Sequence, residues 1–176
     1  MQNSLMNRLM GVITFKAPIY REIAEDASAM QPAVIIVVVV SVISGLISGV
    51  ITGNIVSGLL TSVLGAVIGW IVGGLLTSVI ANALGGKTNT SEMLRIFGHI
   101  QVFQIIGFIP CVGTIAALVL GIIGNVLAIR EAAELDNTKA IVVAILVAIA
   151  IFVVATVIGL IFGVGAGVLG AAGGTR

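Results

Sequence analysis

One cysteine, one histidine and three prolines occur among 176 residues, and only 9% of the chain is charged. A lone thiol, Cys111, excludes an internal disulfide and a cysteine-based metal cluster. One histidine without thiolates cannot supply the three or four ligands of a metal site. Eight basic and seven acidic residues leave a net charge of +1 with no basic run, so nucleic-acid binding has no electrostatic footprint. Serines such as Ser44, Ser57 and Ser62 lie in uncharged stretches, without the neighbouring base that a nucleophile needs. The glycines form no phosphate loop, because they recur inside apolar runs rather than between a strand and a helix. No cofactor, metal or catalytic residue is expected. The first 32 residues are too charged for the apolar core of a cleavable signal peptide, so the first membrane helix is expected to direct insertion.

What the chain has in excess is apolar surface: 59% apolar residues and a mean hydropathy of +1.29 place it in the membrane class. No charge falls between Asn54 and Gly86. Within that run every fourth residue is small: Ser57, Thr61, Gly65, Gly69, Gly73, Thr77, Ala81. Helices in lipid gain little from hydrophobic drive, and small residues let their backbones approach. Each four-residue step drifts about 40° round a helix of ~3.6 residues per turn, so six steps sweep roughly 240°. The spacing predicts a central helix packed by at least two neighbours. On that expectation Gly69→Leu should disrupt packing far more than Val67→Leu.

The chain reads as an all-α integral membrane protein with five transmembrane helices and a short N-terminal amphipathic region. Residues 1–32 form the cytoplasmic or interfacial segment. Leu5, Met6, Leu9, Met10 and Ile13 make one apolar face of a first short helix, and Pro18 opens a second. Tyr20 is expected at headgroup depth, and Arg21, Glu22, Glu25 and Asp26 on a solvated face. The membrane domain covers 33–170, with spans at about 33–52, 55–84, 92–109, 112–130 and 139–168; residues 171–176 form a tail. Small-residue ladders recur: Gly45 and Gly49 in the first span, Gly65, Gly69 and Gly73 in the second, Gly121 in the fourth, Gly159 and Gly163 in the fifth. All eight glycines are predicted helix-packing positions. Asn89 and Glu92 have capping-box spacing at the start of the third span. Seven of the eight basic residues fall on one side of this plan and only Arg176 on the other, which predicts a cytoplasmic N-terminus and an external C-terminus.

Polar residues within spans mark functional candidates. His99, Gln101, Gln104 and Asn125, with Asn82 near them, are expected at comparable depth and could form a polar cluster. Interhelical hydrogen bonds that fix packing are the alternative use of the same residues.

Three segments resemble the Yip family, the Ypt/Rab-interacting membrane proteins, in its bacterial branch. They are RLMGVITFKAPIYREIAED at 8–26, EMLRIFGHIQVFQIIGFIPCVG at 92–113 and GNVLAIREAAELDNTKAIVVAIL at 124–146. The resemblance implies five spans, a cytoplasmic N-terminus and self- or hetero-association. In eukaryotic relatives it implies vesicle traffic through small GTPases. Here the N-terminal segment is short and has no counterpart of the Asp-Leu-Tyr-Gly-Pro motif, so small-GTPase binding is not carried over. The expected function is a non-enzymatic scaffold or accessory subunit in the bacterial cytoplasmic membrane, with lipid and other integral membrane proteins or itself as partners. A small channel or transporter using the His99 and Asn125 region is the alternative.

Overall fold

The computed structural model describes residues 4–109 and 112–173, with side chains up to Val157 and at Leu160. Pro110, Cys111, the packing of Gly159 and Gly163, and residues 174–176 lie outside the described residues. Among the described residues the chain is helical with no strand: α1 (Leu5–Ile13), α2 (Ala17–Glu25), α3 (Met30–Thr52), α4 (Ile55–Ala83), α5 (Thr90–Ile100), α6 (Val102–Ile106), α7 (Gly113–Ala132) and α8 (Asn137–Gly173). Four stretches are long and apolar enough to cross a membrane: Ala27–Thr52, Ile55–Ala83, Gly113–Ala132 and Asn137–Val157. Their outward residues, such as Ile35, Val39, Leu64, Ile68 and Ile149, are exposed apolar side chains, as lipid requires.

The segment expected as a third continuous helix is two helices joined at Gln101. Three-residue closures flank the short α6: Gln104 N–H to the Gln101 carbonyl at its start, then Gly107 to Gln104, Phe108 to Ile105 and Ile109 to Ile106. Such tight turns do not sustain a long regular helix. The start of α5 is built by the Asn89–Glu92 capping box, with both reciprocal bonds in place.

Between α3 and α4 the chain turns at Gly53, whose left-handed φ of 73° suits glycine, and Asn54 accepts the Ser57 N–H to start α4. The two helices meet backbone to backbone. A Cβ on Gly58 would lie 2.6 Å from Gly49 Cα and from the Gly45 carbonyl oxygen; one on Gly49 would lie 2.5 Å from Ile55 Cα. Gly58 stands one residue off the four-residue stripe. The stripe itself is not covered over its middle: a Cβ on Gly65, Gly69 or Gly73 would meet nothing within 4 Å, nor would one on Gly121. The expected sensitivity of Gly69 to leucine is therefore corrected, because room for the side chain exists. α4 still packs against α3, α5 and α8; the stripe faces the space these helices leave.

The buried core lies toward the charged end. Val12, Tyr20 and Ile23 from the N-terminal helices pack with Met93, Ile96 and Phe103, with Ala128 and Ile129 of α7, and with Ala140 and Val143 of α8. Tyr20 is wholly buried, and its hydroxyl donates to the Val12 carbonyl at 2.9 Å. Burial pushes its pKa above the ordinary tyrosine value.

Candidate functional site

Two features stand out: a cap made by α1 and α2, and a cavity between the long helices. α1 turns its apolar face outward, with Met6 67% and Met10 53% exposed, and its arginine inward, with Arg8 4% exposed. The inward arginine is satisfied by α2: its Nε bonds Glu22 at 3.2 Å and its Nη2 bonds Asp26. Glu22 and Asp26 are therefore not simply a solvated face. The Arg8 guanidinium, followed by the Ser28 hydroxyl and backbone N–H, holds the Asp26 carboxyl down at about 2. Arg95 of α5 donates to the Ala24 carbonyl, and Arg21 reaches Glu25 at 2.8 Å and Glu134 at 2.5 Å. The cap is thereby tied to α5 and to the loop after α7. Among the described residues no group of three histidine, cysteine or carboxylate side chains could hold a metal.

The cavity has a volume of about 720 Å³ and is walled by α4, α5–α6, α7 and α8. Gly65, Gly69, Gly73 and Gly121 leave its walls open, and Trp70, Phe103 and Ile145 supply bulk. No charged residue lines it. Trp70 is fixed there by its indole N–H, which donates to the Leu94 carbonyl at 2.9 Å. Phe103 connects cavity to cap: Phe15, in the α1–α2 link, stacks on it with ring centroids 5.4 Å apart.

The expected polar cluster is split. Gln101, Gln104 and Asn125 line the cavity. Gln104 donates to the Gln101 side chain, and Asn125 donates to the Gly121 carbonyl at 2.8 Å. His99 is absent from the lining and fully buried. Its Nδ1 lies 2.8 Å from the Arg95 carbonyl. A carbonyl only accepts, so Nδ1 carries the hydrogen, and Nε2 has no partner among the described residues. Asn82 joins neither group; it exchanges two hydrogen bonds with the Thr88 backbone, at 2.8 and 3.1 Å. Sequence reasoning missed the cavity and the Arg8 pairing. Arg8 lies in α1 and its two partners in and just after α2, so no spacing along a single helix could have signalled the pairing.

Comparison with family models matches residues 10–172 to the Yip1 domain. No match is found among curated proteins, and none among solved structures.

Proposed function

The chain belongs to the Yip1 domain family, and from that premise we propose that it is a non-enzymatic membrane organiser, a scaffold or accessory subunit that associates with other integral membrane proteins or itself. The observation that carries this reading is the separation of His99 from the cavity, whose walls hold no ionisable group. A conduit needs ionisable groups or broken helices near mid-membrane. With the break at Gln101, α5–α6 is a broken helix of this kind, so the transporter alternative is put to a direct test. In reconstituted vesicles carrying a pH- or voltage-sensitive dye, neither the wild-type protein nor His99→Gln should show a flux. Glutamine still donates and accepts but does not titrate, whereas histidine does so near pH 6–7. A wild-type flux lost in His99→Gln would sink the organiser reading. So would recovery of a solitary monomer when the protein is extracted from its native membrane in mild detergent.

The same reading includes five crossings, with α5–α6 as a broken third span. Its support is a parity argument. Lys87 N–H donates to the Ala133 carbonyl at 2.9 Å, which puts the loops before α5 and after α7 at one end. If α7 crosses the membrane, the chain between Lys87 and Gly113 must cross it too. Contacts along the length of α7 agree: Gly124 meets Phe103 and Ile100, and Ala117 meets Gly107. The charge bias then orients the N-terminus to the cytoplasm of a bacterial cell. Cysteine substitutions at Lys87 and Glu134 should be labelled only from the cytoplasmic side, and one at Asn54 only from outside. External labelling of position 87 in intact cells would reverse the orientation.

A further inference from the structure

We propose that the cavity holds one acyl chain of a membrane lipid from the leaflet nearest the cap. This does not depend on the organiser reading. On α4 the lining runs from Gly65 to Thr77, twelve residue steps or about 18 Å along the helix axis. Thr77 is six residues from the charged end of α4 at Ala83, about 9 Å. The cavity therefore starts just inside the headgroup zone and runs for slightly more than one leaflet, which is about half of a ~30 Å hydrocarbon core. A hydrocarbon chain is long and narrow enough to lie in a space of this length and volume.

The wall chemistry points the same way. Uncharged apolar walls at this depth offer water and ions little, and four glycines leave surface that no protein atom touches. Empty space there would forfeit dispersion contacts that a lipid tail supplies. Thr77, Gln101, Gln104 and Asn125 are the polar exceptions in the wall. Gln101 accepts from Gln104 and keeps its own N–H donors without a partner among the described residues.

Trp70, the only tryptophan in the chain, lines the cavity and reports on it. In detergent micelles, phosphatidylcholine with bromine-labelled chains should quench its fluorescence saturably. Gly69→Leu and Gly73→Leu, at positions where an added Cβ meets no atom within 4 Å, should weaken half-saturation by about tenfold or more. Gly121→Leu does the same from the opposite wall and guards against a direct effect on the indole. Ile68→Leu, on the exposed face, should bind as the wild type does. A brominated free fatty acid forms the second arm. Saturation by both probes assigns recognition to the chain, and saturation by the phospholipid alone assigns it to an esterified lipid. Quenching that only rises linearly with lipid would overturn the proposal. Saturable quenching unchanged in all three leucine variants, each folded by circular dichroism, would overturn it as well. A dimer in light scattering that these variants abolish, without saturable quenching, would give the cavity to a second copy instead.

Discussion

Gly58→Leu should unfold the α3–α4 hairpin, while Gly69→Leu on the same helix leaves it intact. At Gly58 even the first added carbon would lie 2.6 Å from backbone atoms of Gly49 and from the Gly45 carbonyl oxygen. Backbone cannot swing aside as a side-chain tip can, so the helices must separate along the seam. Overpacking in general costs about 1–3 kcal/mol, and a clash with a facing backbone belongs at or above the top of that range. At Gly69 the added atoms enter the cavity. Thermal unfolding in detergent should show a large fall in Tm for Gly58→Leu and little change for Gly69→Leu. Equal losses would mean that the stripe is closed in the membrane.

Arg8→Met should release the cap. Removing one member of a buried ion pair costs about 3–5 kcal/mol, because the partner charge stays behind. Side chains of Asp26 and Glu22 remain 20% and 31% exposed, so water offsets part of this and about 2–3 kcal/mol is expected. Hydrogen exchange at the α2 amides, from Tyr20 to Ala24, should accelerate while exchange in α4 stays unchanged. Acid should mimic the substitution. The folded-state pKa of Asp26, about 2, lies below its ordinary value near 4. Its contribution is therefore fully present above pH ~4 and is lost as pH falls from there toward 2. Asp26→Asn should remove that acid-dependent step. Unchanged α2 protection in Arg8→Met would show that apolar burial alone holds the cap.

Much of the helical plan was legible because its signals are local. Gly53 and Asn54 mark the first turn, and Asn89 with Glu92 marks the start of α5, within a few residues of where they act. The ladder of small residues was also visible, but spacing cannot say what lies opposite. It singled out Gly69, which borders empty space, and passed over Gly58, which touches backbone. The break at Gln101 went unread because glutamine is an ordinary helix former and no glycine or proline marks the spot. The cap was read only as amphipathic; that the polar side of α1 faces inward depends on how α1 and α2 fold against each other and on α5. His99 and Asn125 share a depth by arithmetic but not a helix face by geometry, and depth was all that the sequence offered.

The contact between Arg21 and Glu134 spans 113 residues of chain. A ribosome adding 5–20 residues per second needs about 6–23 s to cover that distance. Throughout this interval Tyr20, Ile23 and Ala24 have no Ala128, Ile129 or Ala132 to bury against. The outward face of Leu5, Met6 and Met10 gives the unfinished segment somewhere to wait, on the bilayer surface beside the translocation site. The cap segment is thus made well before the helices that seat it. A bulky fusion at the N-terminus should therefore slow maturation of the finished protein without hindering insertion of its first span.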